Sequence, residues 1–408
     1  MRINEPPIVE TLTLSRRLRA SAIYFFTFAG YSAIGPYLAL YYSSLGFSGL
    51  EIGILLGVGP LLSLIATPFW TGFADARNKH RLVLAGGVAA IVIIHSIFPF
   101  LQRFILILSA VTLIAALSSH VFSLQDTATV HMLGKQRERY GRIRLWGTIG
   151  WGLGAPLFGM VLDQFGLIWM FWIYAGMMLI DFFLVQGLRF EENHEQSGYA
   201  QGLKKLLGDP SWLLFLATVF LSAVGMAAHN GFLALLLNGL GDQHSILGWL
   251  VPVSTAVGIM LAVSTVFELP VMLFSAPILQ RFGNRSMLYV AMAVIGIRNL
   301  IYAFVTNDTQ ILFVQIVHGF TFALVWLAGV NYAAIHAPRG LNATAQGLFS
   351  TVLLSVGFAV GNLICGALID QLGVQGMFAA MSAIVFASLL IILLVQKRVY
   401  SMGQSPAD

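Results

Sequence analysis

The chain has 408 residues, of which 58% are hydrophobic and only 10% charged, with a mean hydropathy of +0.84. Soluble globular domains carry about 25% charged residues, so this composition excludes one and places the chain in a bilayer. The net charge of +5 does not call for nucleic acid, because the basic residues are explained by membrane orientation and lipid contact. The single cysteine, Cys365, excludes an intrachain disulfide and a cysteine-based metal site, and the absence of a phosphate-binding loop with a Lys-Ser/Thr ending argues against ATP hydrolysis.

In chain order, Arg16, Arg17 and Arg19 lead into an apolar run at 20 to 43 that is too long for a signal-peptide core, so it is expected to stay as an anchor. Further runs follow at 51 to 70, 82 to 100, 104 to 133, 142 to 163 and 168 to 188, and then at 211 to 238, 247 to 279, 286 to 305, 309 to 335, 341 to 369 and 374 to 396. Each can cross a hydrocarbon core of roughly 30 Å, which predicts an all-α membrane protein of twelve transmembrane helices. The run at 247 to 279 has room for an interfacial turn before Pro252. Ser48 followed by Glu51 has capping-box spacing, and Gly35-Pro36, Pro252 and Pro270 mark expected kinks.

With the N-terminus inside, 20 of the 22 Lys and Arg residues fall on the same side. Only Arg103 lies outside, and Arg298 lies within a span. The positive-inside rule then puts both termini in the cytoplasm. The polar stretch from Glu191 separates the spans into an N-terminal six-helix bundle (1–190), a cytoplasmic linker (191–209) and a C-terminal six-helix bundle (210–408). Gly154 to Gly159 with Asp163-Gln164-Phe165-Gly166 recurs as Gly361 to Gly366 with Asp370-Gln371-Leu372-Gly373, at a constant offset of 207 residues. Six spans separate the copies, so the bundles are expected to be parallel, pseudo-symmetric repeats.

Two charges inside apolar sequence, Asp126 and Arg144, each lie nine residues from Lys135 at a turn. At about 1.5 Å per residue both sit roughly 13 Å from it, side by side on antiparallel helices. Glu268 and Arg298 repeat the arrangement, each fifteen residues from Gly283. A charge at the helix centre costs roughly 2.5 to 3.5 kcal/mol on insertion scales, so such residues point to a polar pathway. Arg144 is a planar fork suited to a carboxylate or hydroxyls, or else a static gate ion pair with Asp126. Trp151, seven residues on, shares its helix face and can stack on a solute or merely pack. Arg298 and His318 lie nine and eleven residues either side of Asn307, at one depth beside Glu268, as a proton-coupling group or an inert triad. His229 is a further candidate for a cavity or packing role; His95, His120 and Asp181 find no partner in the sequence. Paired histidines at helical spacing are absent, so no metal, no cofactor and no enzymatic activity are expected.

Two halves of six helices with a central cytoplasmic loop resemble the major facilitator superfamily. The loop Asp75-Ala76-Arg77-Asn78-Lys79-His80-Arg81 is similar to that superfamily's inner-gate motif, with Asn78 where the family has Gly. The stretch Tyr140-Gly141-Arg142-Ile143-Arg144-Leu145-Trp146-Gly147 through Trp151 resembles the start of helix five in the lactose-permease, phenylpropionate-permease and nucleoside-permease groups. The resemblance implies that Arg144 pairs with Asp126 and contacts solute, and that Trp151 stacks on it. It also implies that Glu268, Arg298 and His318 form the coupling cluster, with Gln315 and Thr321 in place of the family's Lys and protonatable Glu. The expected function is therefore proton-coupled symport of a small polar or aromatic solute (sugar, nucleoside or aryl carboxylate) by alternating access, with Glu268 as proton carrier. The alternative is a proton antiporter exporting drugs or lipids. The expected partners are solute, protons and membrane lipid, with no nucleic acid; the expected state is a monomer in a bacterial cytoplasmic membrane.

Overall fold

A computed structural model describes residues 14–133, 140–188, 206–337 and 341–402. Lys135 and most of the expected linker, 191–205, lie outside the described residues.

Helix α1 (Leu14–Ile34) gives way at Gly35–Tyr37 to a single 3-10 turn and resumes as α2 (Leu38–Ser44). The break sits where Pro36 lacks a backbone N–H, as the Gly-Pro pair predicts. Helix α3 (Gly49–Arg77) starts at the expected capping box: the Ser48 Oγ accepts from the Glu51 N–H at 3.2 Å, while the Glu51 carboxylate accepts from the Ser48 N–H at 2.9 Å. It ends on Asn78 at φ 53°, a left-handed cap that Asn tolerates in the place of glycine. Helices α4 (His80–Ile97), α5 (Phe104–Ser118), α6 (Val121–Leu133), α7 (Tyr140–Phe165) and α8 (Trp169–Val185) complete the first stretch.

Beyond the linker, α9 (Pro210–Leu240) is followed by a two-stranded antiparallel hairpin, β1 (Gln243–Ile246) and β2 (Trp249–Pro252). This short hairpin interrupts an otherwise helical chain and leaves the all-α class standing. Ile246 pairs with Trp249, leaving Leu247 and Gly248 as a two-residue turn with φ of 52° and 87°. Two successive positive φ values are what a tight hairpin with right-handed strand twist requires. The expected interfacial turn is thus present as this hairpin, and Pro252 ends a strand before α10 (Val253–Leu273) rather than kinking a helix. Pro270 does lie inside α10. The remaining elements are α11 (Ser275–Phe282), α12 (Asn284–Phe304), α13 (Asp308–Ile316), a 3-10 turn at Val317–Phe320, α14 (Phe322–His336), α15 (Asn342–Thr351), a π-helical turn at Val352–Gly357 and α16 (Phe358–Met402).

Among the described residues, ten helices are long and apolar enough to cross a membrane, against the twelve spans predicted. One of them, Thr344–Lys397, runs 54 residues through Gly373 at φ 71°, and α8 is a shorter apolar helix. Large apolar side chains such as Ile65, Phe100, Leu273 and Phe304 are mostly exposed, as a hydrocarbon solvent permits.

Three buried clusters draw on one side of the linker only, but the largest joins both: Ile34, Tyr37, Tyr41 and Ile52 pack with Phe232, Met260, Cys365 and Met381. Contact there is backbone-close. A Cβ at Gly53 would stand 2.6 Å from the Asn362 carbonyl oxygen, and one at Gly258 would stand 2.7 Å from the Ala155 carbonyl carbon. Small residues are what let α3 meet α16 and α7 meet α10 at these distances.

Candidate functional site

Three helices converge on Asp126. Its Oδ1 accepts from Arg144 Nη1 at 3.3 Å and from the Tyr140 hydroxyl at 2.9 Å, and it also accepts from the Tyr24 hydroxyl. The expected side-by-side placement of Asp126 on α6 and Arg144 on α7 is what the structure contains. The guanidinium lies over the rings of Phe122, Phe28 and Tyr24 at 5.0 to 6.0 Å. Aromatic faces attract a cation, so they hold the arginine without using its remaining N–H groups. About a third of each side chain is exposed, 36% for Arg144 and 32% for Asp126. Of the Arg144 nitrogens only Nη1 is hydrogen-bonded among the described residues, to Asp126 and to the Tyr140 hydroxyl. The fork therefore keeps donors for a second acceptor. Trp151, two turns further on, is half-buried, and its ring lies 5.7 Å from that of Tyr31.

The second cluster is built differently. Arg298 on α12 is only 2% exposed and donates to four neutral acceptors. These are the Tyr302 hydroxyl (3.2 Å), Gln315 Oε1 (2.7 Å), His318 Nδ1 (2.8 Å) and Thr321 Oγ1 (3.4 Å). Gln315 also donates to Tyr302 at 2.9 Å and accepts from Ser264 at 2.7 Å. A lysine at 315 would set a second cation against the guanidinium; a glutamine accepts from it. The expected pairing of Glu268 with Arg298 is not present among the ion pairs of the described residues. Instead His318 stands between them, with Nε2 at 3.9 Å from the Glu268 carboxylate. A guanidinium can only donate, so Nδ1 must accept and the ring proton belongs on Nε2, toward Glu268. Gly319 lets this turn lie against α10, since a Cβ there would be 2.9 Å from the Phe267 carbonyl oxygen.

His229, expected near solute, joins this second cluster: it is 4% exposed and its ring meets that of His318 edge-on at 6.5 Å. Asn299 faces it, but neither His229 ring nitrogen nor Asn299 Oδ1 reaches hydrogen-bonding geometry.

Of the inner-gate residues, Asp75 holds His80 at 2.6 Å, Arg77 lies over Phe73 at 5.4 Å, and Arg81 donates to the Gln186 carbonyl at 3.3 Å. These contacts stay within the first stretch of chain. Contacts between the two stretches gather at the opposite end, through residues that the sequence shows only as part of the internal repeat or not at all. Asp163, at the end of α7, accepts from the N–H groups of Ser254 (3.0 Å) and Thr255 (2.7 Å) at the start of α10, and from the Thr255 hydroxyl (2.6 Å). Asp370 on α16 does the same to α3, accepting from Gly49 N (2.5 Å) and Leu50 N (2.8 Å). These are equivalent aspartates of the internal repeat. A carboxylate over a helix N-terminus satisfies orphan N–H groups and complements the helix dipole. Tyr37 adds a hydroxyl to the carbonyls of Ala155 (3.2 Å) and Ser254 (3.1 Å).

No group of three or more His, Cys, Asp or Glu side chains able to hold a metal occurs among the described residues. The polar groups instead form two separate hydrogen-bonding sites, one partly open and one sealed.

The MFS_1 like family matches residues 17–380. The maltose permease of Geobacillus stearothermophilus is 24% identical over 386 residues, covering 93% of this chain and 95% of the relative. The probable 3-phenylpropionic acid transporter of Escherichia coli (strain K12) is 25% identical over 377 residues, covering 88% and 93%. The crystal structure of the nucleoside transporter NupG superposes with a TM-score of 0.83 at 16% identity, covering 93% of this chain and 99% of that one. A shared length, a matched family and a common fold agree with the apolar helices: the chain belongs to the MFS_1 like family and is a multi-pass membrane transporter, not an enzyme.

Proposed function

We propose that the protein is a proton-coupled symporter for a small polar or aromatic solute of the sugar, nucleoside or aryl-carboxylate kind, working by alternating access in a bacterial cytoplasmic membrane. The carrying observation is the Asp126–Arg144 site: a partly exposed guanidinium held by one carboxylate oxygen and three aromatic rings, with donors left over. Such a fork takes a carboxylate or vicinal hydroxyls bidentately, and Trp151 and Tyr31 supply aromatic faces two turns away. The permeases with which the chain aligns act, by their names, on maltose, 3-phenylpropionic acid and nucleosides.

In this reading the moving bodies are residues 1–190 and 210–408, each of six crossings. A run of 54 residues is roughly 80 Å of helix, more than twice a hydrocarbon core, so Gly373 divides it into two crossings; α8 makes the twelfth. The concentration of Lys and Arg in the sequence around the start of α1 and the end of α16 favours that end as cytoplasmic. The Asp163 and Asp370 caps then close the outer side, and the conformation is inward-facing. Glu268, whose carboxylate has the His318 ring as its one ion-pair contact among the described residues, is the proton carrier: gain or loss of the His318 contact accompanies loading and release.

Uptake into proteoliposomes under an imposed inward proton gradient, from a panel of sugars, nucleosides and aromatic acids, tests the proposal. Accumulation abolished by a protonophore is expected. Loss of preloaded solute under the same gradient would establish export by antiport instead. Glu268→Gln is expected to end accumulation yet preserve exchange of solute present on both sides; full accumulation by that variant would remove Glu268 from coupling.

A further inference from the structure

A third buried acid lies outside both clusters. Asp181 on α8 is fully buried; its Oδ2 accepts from Gln125 Nε2 at 2.7 Å and from the Thr27 hydroxyl at 3.4 Å, while its Oδ1 has no hydrogen-bond partner. No Lys, Arg or His lies within ion-pair distance of it among the described residues. Tyr174, on α8 itself, is a titratable group whose hydroxyl feels the Asp181 charge, and it carries no cation. Several charged and titratable groups on the surrounding helices are engaged elsewhere. Tyr24, Tyr140 and Arg144 serve Asp126; His95 binds the Ile91 carbonyl at 2.8 Å, with Tyr174 against its ring. Tyr31 lies against Trp151, and Arg19 and Arg81 hold the carbonyls of Gly187 and Gln186 at the end of α8. A carboxylate sealed in a membrane protein without a cation is costly, by several kcal/mol per ion. Two neutral donors on one oxygen do not neutralise it.

The neighbours of Asp181 are also the neighbours of the Asp126–Arg144 site. Helix α6 presents Gln125 to Asp181 and the adjacent Asp126 to Arg144. Helix α1 presents Thr27 to Asp181 and, one turn away, Tyr24 to Asp126. A shift of α1 against α6 therefore alters both acids together.

We infer that Asp181 is a protonation site, holding a proton from solution as the neutral acid in this conformation and linked through Gln125 and Thr27 to the solute site at Arg144. Proton binding converts the carboxylate to a carboxylic acid, with no other bond made or broken. Only the linkage to solute rests on the transport reading.

The test is infrared difference spectroscopy on the full chain in lipid, comparing acidic with alkaline buffer in H2O and D2O. The wild type is expected to show a protonated-carboxyl C=O band that disappears in Asp181→Asn and persists in Glu268→Gln. Gln125→Leu, which keeps Asp181 and removes its donor, is expected to shift that band. A band unchanged in Asp181→Asn and unshifted in Gln125→Leu would overturn the assignment. For the linkage, proton release or uptake on adding a transported solute from the panel above is expected to differ between wild type and Asp181→Asn; equal proton counts would separate the acid from the solute site while leaving the infrared result standing. A chain that moves no solute from the panel fails the transport reading, and the infrared measurement still decides protonation.

Discussion

Arg144 and Arg298 are the two arginines deep in the spans, and their surroundings are nearly opposite. Arg144 is 36% exposed at its side chain, leans on one acid and three rings, and leaves donors unspent. Arg298 is 2% exposed and every one of its nitrogens donates to a neutral group. An open, partly satisfied cation can accept a guest without losing a partner, whereas a sealed and saturated one can do so only by breaking its own network. The first arrangement suits recognition; the second suits holding α12, α13 and the His318 turn in register.

The largest effect should come from breaking the sealed site. Arg298→Ala removes the donor of His318 Nδ1 and leaves Gln315 Oε1 and the Tyr302 hydroxyl with one donor each, Ser264 and Gln315, around an emptied buried site. An unsatisfied buried group costs about 1 to 3 kcal/mol. Thermal unfolding in detergent is expected to move sharply downward, and a variant as stable as wild type would erase the contrast. Arg144→Lys should do the reverse: a point charge lacks the fork, so solute affinity is expected to fall tenfold or more, about 1.4 kcal/mol, in a binding titration. Its stability should change by less than about 1 kcal/mol, as for partly exposed ion pairs. Equal affinity in that variant would take Arg144 out of the site. The paired change Asp163→Ala with Asp370→Ala removes two carboxylate caps, each worth about 0.5 to 2 kcal/mol. Cysteines placed near Gly49 and Ser254 in a chain lacking Cys365 should then label faster from the outer side; unchanged labelling would show that the caps do not hold that end shut. The smallest effect is expected for Trp151→Phe, which keeps an aromatic face: a change of a few-fold in affinity, greater for aromatic solutes than for aliphatic ones.

The comparison also explains what sequence could reveal. Counting nine residues either side of Lys135 located the Asp126–Arg144 pair because α6 and α7 are successive antiparallel helices. The same count around Gly283 brought Glu268 and Arg298 into one cluster, on opposite nitrogens of His318, but not into an ion pair. Helix α11, Ser275–Phe282, separates α10 from α12, so fifteen residues on one side do not measure depth as they do on the other. Depth also says nothing of which face a residue turns to, and Arg298 turns to Gln315. The capping box at Ser48 and the turn before Pro252 were legible because both are local. Asp163 and Asp370 were visible as a repeated motif, yet their partners are backbone N–H groups some 90 and 320 residues away. Backbone donors leave no mark in composition or periodicity. Asp181 had no legible partner for a similar reason: its contacts are uncharged side chains on two other helices.

Those crossing caps carry a consequence for how the sequence can drift. Apart from the Thr255 hydroxyl, the donors at Gly49, Leu50, Ser254 and Thr255 are main-chain groups, which side-chain replacement at Leu50, Ser254 and Thr255 leaves in place and proline deletes; Gly49 is the exception, because a Cβ there would stand 2.5 Å from the Gly366 carbonyl oxygen. The acceptors are two side chains. Tolerance to substitution is thus lopsided across each joint: the helix starts are free to vary within the space their neighbours allow, while the constraint of keeping the joint falls on one aspartate per repeat.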